Sequence, residues 1–224
     1  MRKMTLLGMG ALYAATAAHA NTTRTLTYQS MAFYEEMTYN FDNSFASSSA
    51  TRAGGSYGLA GQLRFAEGVL AFCSEVDAPM QGGLTILYTE SDIADIPSLD
   101  PMGAARAAAM ESHYAQNYLT VANSGSDSMY AAFAIVLWEV AQENWGGTNV
   151  AELDIQLGAM QVSNISSETE ANVTAMIANI ASGGSYDLQG WTNPDYQDLI
   201  VVPGPSIAMA GLLGLAGLRR RRRH

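Results

Sequence analysis

The stretch Ser126–Trp145, "SDSMYAAFAIVLWEVAQENW", decides the fold. Ser126 is a favoured N-cap residue, and Gly146-Gly147 follows the stretch as a helix stop. Its centre, Ala131 to Leu137, is apolar on every side, which is typical of a helix buried inside a protein rather than one lying on its surface. The sequence therefore predicts a central buried helix against which the rest of the chain packs.

Two further helices and several strands are predicted around this one. Pro101 is suited to the first turn of a helix over residues 100–119, and Ser166 or Ser167 can cap a third helix that Gly183-Gly184 follows. Strands are predicted at residues 21–39 (a strand or a hairpin), on both sides of Gly68, and at residues 82–90, 185–192 and 197–202, with a Ser/Gly-rich loop at 44–58. Strands, a helical block and strands again predict a single α+β domain over residues 21–202, with antiparallel strands and about three helices.

The charges are distributed unevenly along the chain. All 21 acidic residues lie between Glu35 and Asp198, whereas this central region contains no lysine and only a few arginines: Arg52, Arg64 and Arg106, preceded by Arg24. Such a surface repels nucleic acid, so no nucleic-acid partner is expected. The acids are scattered and no calcium-binding loop is present, so no metal site and no cofactor are predicted.

The first 20 residues have the three parts of a secretory signal peptide. Arg2 and Lys3 are its basic region, Met4–Ala17 its apolar region, and Ala18 and Ala20 bracket an A-x-A cleavage site. The apolar region is shorter than the roughly 20 residues that span a bilayer. We therefore expect export through the Sec translocon and cleavage by signal peptidase after Ala20.

The C-terminal segment, residues 203–224, also has three parts. A turn at Pro203, Gly204 and Pro205 is followed by a short transmembrane-like apolar helix at Ile207–Leu218. A basic cluster then follows: Arg219, Arg220, Arg221, Arg222 and Arg223. By the positive-inside rule the arginines stay on the cytoplasmic side, so the segment holds an exported chain transiently in the inner membrane.

This order of parts resembles a PEP-CTERM sorting signal, with Gly204 where glutamate is typical of the family. The resemblance implies that an exosortase-type membrane protease processes the chain near Pro203–Pro205. It also implies a location at the cell surface or in the extracellular matrix, with extracellular polysaccharide or biofilm as the surroundings.

A second resemblance involves Cys73 in "AFCSEVD" and the helix motif "YAAFAIVLWEV". Together they are similar to the thioester-type domains of bacterial surface proteins, in which a cysteine after a strand bonds covalently to a glutamine within a helix. Phe133, Trp138 and Glu139 match the helix motif, but Ala134 occupies the glutamine position. Gln142, two helical turns further on, is no obvious substitute, so the resemblance implies that the scaffold is kept and the thioester lost.

The residues are also compatible with three other kinds of chemical site. Cys73 and His113 are the cysteine and histidine of a possible hydrolase dyad, although one such pair is common by chance. Glu139 and Glu143 are a possible carboxylate pair for glycoside hydrolysis. Aromatic side chains at Trp145, Tyr186 and Trp191 suit either the core or a sugar-stacking surface, and the core is favoured.

We therefore predict an exported surface or matrix protein with a structural or adhesive role, no catalytic residues and no enzymatic activity. Two alternatives stay open: a covalent adhesin that uses Cys73 with another amide, and a secreted hydrolase that acts on glycans.

Overall fold

The computed structural model describes residues 22–42, 56–78 and 80–202. The predicted signal peptide, with Ala18 and Ala20, lies outside this part, as do the predicted sorting motif, apolar segment and arginine cluster. The described residues form seven strands: β1 (Thr23–Phe41), β2 (Ser56–Phe65), β3 (Leu70–Cys73), β4 (Thr85–Ser91), β5 (Met160–Ser163), β6 (Gln189–Thr192) and β7 (Leu199–Val201). Three α-helices accompany them: α1 (Gly103–Ser124), α2 (Asp127–Gln142) and α3 (Ser167–Ile180). The predicted mixture of helices and antiparallel strands is confirmed.

The strand pairings close into a ring. Going round the sheet, β1 pairs with β2, β2 with β3, β3 with β7, β7 with β6, β6 with β4, and β4 again with β1, always antiparallel. The length of β1 makes this possible, because its first residues pair with β4, its middle with β2 and its last residues with β5. The N-terminal segment is thus one irregular 19-residue strand rather than a hairpin.

Residues that lie directly opposite each other in these pairings share one face of the sheet. On the inner face of the ring, Leu26 lies opposite Ile86, and Tyr28 opposite Phe65. The rings of Tyr28 and Tyr88 both meet Phe65 edge to face, with centroids 5.8 and 6.3 Å away. The ring therefore encloses a packed aromatic and aliphatic core.

Helix α2 is buried over nearly its whole length, as the sequence predicted. Every residue from Tyr130 to Gln142 is buried, and the helix contacts α1, α3, β1 and β2. The Ser126 side chain caps its first turn by accepting from the Met129 N–H. The predicted stop at Gly146-Gly147 is wrong, because α2 already ends at Gln142.

Two other predicted boundaries need correction. Helix α1 begins at Gly103 with Met102 as its N-cap residue, so Pro101 precedes the helix instead of lying in its first turn. Strand β2 begins at Ser56, inside the predicted loop. For α3, Ser166 is the capping residue and accepts from the Thr169 N–H. Within the described residues, no helix is long and apolar enough to span a membrane.

Candidate functional site

Cys73 ends β3 in a completely enclosed position. Its side chain is 2% exposed, and its backbone carbonyl accepts a hydrogen bond of 2.8 Å from the Trp138 indole N–H. Burial raises the pKa of the Cys73 thiol to about 12, against the opposing effect of the nearby Trp138 N–H. Because only the thiolate is a nucleophile, Cys73 is an inert core residue at neutral pH.

The residues of the thioester-type motif do not provide the amide that a thioester with Cys73 requires. Ala134 is fully buried in α2 and has no amide to offer. Phe133 packs on Phe72 of β3, and Trp138 is fixed by its bond to Cys73. Gln142 is nearer to Cys73 than the sequence suggested, since its amide donates to the Ser74 carbonyl at 3.0 Å.

Glu139 of α2 and Glu143, the residue that follows the helix, bind backbone N–H groups in the segment that leads into β5. Glu139 is fully buried and its Oε1 accepts from the Asp154 N–H at 2.9 Å. Glu143 accepts from the Ala159 and Met160 N–H groups at 2.8–3.2 Å. Burial and the neighbouring Glu143 carboxylate raise the pKa of Glu139 well above its ordinary value. These side chains hold the loop on α2, which is a structural role.

His113 and Cys73 do not form a dyad. The fully buried imidazole lies over the Phe133 ring, with centroids 4.2 Å apart. Its Nε2 lies 3.1 Å from the Phe133 carbonyl oxygen, and its Nδ1 lies 3.1 Å from Asn117 Nδ2. Burial lowers the pKa of His113 to about 3, so the ring is neutral. The Nε2 contact joins α1 to α2, the Nδ1 contact lies within α1, and neither nitrogen is available as a general base.

The three aromatic residues considered for sugar stacking are not exposed platforms. Trp145 and Trp191 are 8% and 4% exposed, which confirms the prediction that they belong to the core. Trp145 donates from Nε1 to the Val140 carbonyl at 3.0 Å. Tyr186 is half-buried and packs against Tyr114 and Tyr118.

One polar site was not predicted, and it lies at one end of the strand ring. Here Arg24 of β1 lies over the indole of Trp191, 5.1 Å from the ring centroid. Gln189 donates its side-chain amide to Glu90 Oε1 at 2.7 Å. These four residues line a recess of about 60 Å³, which we call the barrel mouth. They come from β1, β4 and β6, and no local sequence pattern links them.

Two residues that line the barrel mouth, Tyr88 and Trp191, have a buried polar atom without a hydrogen-bond partner among the described residues. Trp191 is 96% buried, yet its Nε1 has no hydrogen-bond partner among the described residues. Beside the mouth lies a wider cleft of about 570 Å³, and Glu90 and Gln189 line both spaces. Five carboxylates line this acidic cleft: Glu90, Asp92, Asp95, Glu111 and Asp187. Nowhere in the described part of the chain do three or more His, Cys, Asp or Glu side chains converge as a metal site.

Comparison of the chain with protein-family models, curated proteins and solved structures finds no match.

Proposed function

We propose that the protein is an exported, non-enzymatic component of the cell surface or extracellular matrix, and that proteolysis removes both of its ends during export. The signal peptide and the PEP-CTERM-like tail are the sequence features behind this proposal. The position of the two expected cleavage points relative to the fold is the structural observation that supports it.

Both points lie immediately outside the strand ring. Strand β1 begins at Thr23, three residues after Ala20, and β7 ends at Val201, two residues before Pro203. Between them lie all the elements of the ring, including β7, which is hydrogen-bonded on both sides. Cleavage at these points therefore leaves the whole fold intact.

The start of β1 and the end of β7, the described residues nearest to the two points in sequence, lie at the same end of the sheet. The start of β1 lies beside the end of β4, the end of β4 beside the start of β6, and the start of β6 beside the end of β7. A chain held in the membrane by its signal peptide and its C-terminal segment would thus turn this end of the sheet toward the membrane. This geometry suits a protein that is released after it has folded outside the membrane.

The chemistry of the described residues favours a non-enzymatic role. The Cys73 thiol is protonated, and His113 is neutral with both nitrogens bonded. Glu139 and Glu143 bind backbone N–H groups. None of these side chains is poised as a nucleophile or as a general acid or base.

The decisive measurement is the intact mass of the protein recovered from the envelope and the medium of an expressing host. We expect loss of residues 1–20 and of the tail beyond about residue 203. A variant with glutamine in place of Arg219–Arg223 should keep its C-terminal segment and accumulate uncleaved at that end. R64Q, which removes an arginine within the strand ring, is the matched control. A wild-type product that keeps its arginine cluster, or unchanged processing of the tail variant, would refute the proposal.

The intact mass also tests the covalent-adhesin alternative, and a separate glycan-turnover assay tests the hydrolase alternative. A thioester between Cys73 and Gln142 would lower the intact mass by one ammonia, and C73S would restore it. Turnover of glycans that is lost in E139Q would instead indicate a hydrolase. We expect neither result, because the thiol is protonated and Glu139 is enclosed.

A further inference from the structure

Residues 144–159, between α2 and β5, cover the outer edge of the sheet, and we call them the covering segment. Among the described strands, β5 ends the sheet order and pairs with β1 alone. On its other side, the Val162 N–H donates to the Ile155 carbonyl at 2.7 Å, and the Met160 N–H donates to Glu143 at 3.2 Å. The outer edge of β5 is therefore closed by the covering segment and by Glu143, the residue that precedes it.

The covering segment has few contacts of its own that hold it in place. Every residue in it is described, and it contains one short 3₁₀ helix but no α-helix or strand. Most of its side chains are exposed, and the buried ones are Trp145, Leu153, Ile155 and Ala159. Segments with few buried apolar contacts and exposed backbone are those that open locally while the core stays folded. The covering segment is thus suited to opening by itself.

Two acidic side chains at the C-terminal end of α2 hold the covering segment. Glu139 Oε1 accepts from the Asp154 N–H at 2.9 Å, and Glu143 accepts from the Ala159 N–H at 2.8 and 2.9 Å. The second oxygen of Glu139, Oε2, is buried and has no hydrogen-bond partner among the described residues. A buried carboxylate needs partners that compensate for its lost hydration, so this position suits the protonated form of Glu139.

The charged groups around Glu139 favour the same form. Burial is the largest cause that raises the pKa of Glu139, and the carboxylates of Glu143 and Asp154 raise it further. Arg106 is the cation that α1 brings to this end of α2, and it donates to the carbonyls of Ala141 and Glu143. The other ionisable side chains of the elements packed on α2 are bonded elsewhere or exposed: His113 to Phe133, Glu111 to Ser185, Glu35 to Ser166, Glu170 to Gln156, and the exposed Arg24, Glu36, Tyr57, Arg64 and Glu168.

We propose that the covering segment is a pH-dependent closure over the edge of β5, which stays closed while Glu139 holds its proton and opens when Glu139 loses it. Opening brings water to the Glu139 carboxylate and separates it from Asp154. It also frees the N–H groups of Met160 and Val162 at the outer edge of β5. The closure does not depend on how the ends of the chain are processed.

The direction of the pH effect follows from proton binding. In the open form, water reaches Glu139 and its pKa returns to the ordinary value of 4.5. Between pH 4.5 and the raised pKa of the closed form, the closed form holds a proton that the open form releases, so a rising pH favours opening. Each pH unit in this interval should multiply the ratio of open to closed protein by about ten.

Hydrogen exchange of single amides, followed by NMR from pH 5 to pH 8 on the protein purified from an expressing host, measures the opening. Dividing each rate by that of an unstructured peptide at the same pH gives an opening constant. For the N–H groups of Asp154 and Ala159, this constant should rise about tenfold per pH unit up to the folded-state pKa of Glu139. It should stay level in E139Q, whereas E168Q, which changes an exposed carboxyl group on α3, should behave like the wild type.

Two amides of the strand ring distinguish local opening from unfolding of the whole protein. Phe72 and Ile200 pair with each other between β3 and β7, and they should open about a hundredfold or more less often than Asp154 and Ala159.

The substitution G158A opens the segment by a second route. Gly158 has a φ of +89°, and a Cβ added there would collide with the Glu143 carboxylate and displace it from the Ala159 N–H. Gly183 has a φ of +70° and no atom within 4 Å of an added Cβ, so G183A carries similar backbone strain without the collision. At pH 5, G158A should raise the opening constant of the Ala159 amide about tenfold or more, and G183A should not.

A level opening constant for the Asp154 and Ala159 amides of the wild type would overturn the inference, and so would the same rise with pH in E139Q. Opening no more frequent than that of Phe72 and Ile200 would also overturn it, because the segment would then open only when the whole protein unfolds. If E139Q or G158A does not fold, the wild-type profile and its ratio to the ring amides decide alone. The intact-mass experiment stays independent, since a chain that keeps its C-terminal segment can still show the closure.

Discussion

The substitution E139Q tests the electrostatic description of the core. Glu139 is fully buried, its Oε1 accepts from the Asp154 N–H, and its Oε2 has no partner among the described residues. Burial, together with the carboxylates of Glu143 and Asp154, raises its pKa well above the ordinary value of 4.5. Glutamine keeps the shape and the acceptor oxygen of this side chain but cannot ionise.

The sign of the effect follows from proton binding. Between pH 4.5 and the folded-state pKa of Glu139, the folded protein holds a proton that the unfolded chain releases. In this interval Glu139 lowers the free energy of unfolding by about 1.4 kcal/mol for each pH unit that the pH rises. E139Q has no such penalty, so its stability relative to the wild type should rise with this slope and level off above the folded-state pKa.

Urea unfolding of both proteins at half-unit steps from pH 5 to pH 8 measures this difference. Contributions from other groups, including His113, cancel because both proteins carry them. E168Q, which changes an exposed carboxyl group on α3, is the control and should run parallel to the wild type. A flat difference between E139Q and the wild type across this range would refute the assignment of Glu139 as a buried, protonated carboxyl.

Three further predictions concern the interior. Cys73 should react with maleimide about a thousandfold more slowly in the folded protein at pH 8 than after denaturation, because its pKa is raised to about 12; rapid labelling would contradict this. The His113 imidazole resonances should not titrate between pH 8 and pH 5 in the processed protein, since burial lowers its pKa to about 3, and a midpoint near 6.5 would show an exposed ring. W138F, which loses the bond to the Cys73 carbonyl, should lower the free energy of unfolding by about 1–3 kcal/mol more than W191F, whose N–H is unpaired, in parallel urea titrations. Equal costs would mean that the Trp138 bond contributes nothing.

Helix α2 was predictable because its signals are local. An apolar run on all sides and a serine at its start are sufficient to indicate a buried, capped helix. The C-terminal end of α2 was not predictable in the same way. It ends before the glycines because the Glu143 carboxylate turns to accept from the N–H groups of Ala159 and Met160. The Arg106 guanidinium donates to the carbonyls of Ala141 and Glu143. These hydrogen-bond partners are distant in sequence from the end of α2, so no local pattern indicates where the helix ends.

The closed strand ring and the barrel mouth could not be predicted from sequence patterns for the same reason. Alternation can indicate that residues 23–41 form a strand, but not that successive parts of it pair with β4, β2 and β5. The barrel mouth depends on this register, because Arg24 reaches Trp191 only when β4 lies between their strands. The sequence had marked Trp191 as a core residue, which is correct, without indicating that its N–H is left unpaired.

The buried carboxylates show how so acidic a chain forms a stable interior. With no lysine and few arginines in the body, counter-ions from basic side chains are scarce. Backbone N–H groups take their place. Asp198 accepts from the N–H groups of Ser98 and Asn193 at 2.6 and 2.9 Å, and Glu75 accepts from the Asp198 N–H at 3.0 Å. Such bonds act at short range inside the protein, where dissolved salt screens charges much less than at the surface. The buried carboxylates therefore do not depend on ion pairs at the surface, which salt would screen. The acidic exterior can then face a saline environment without weakening these bonds.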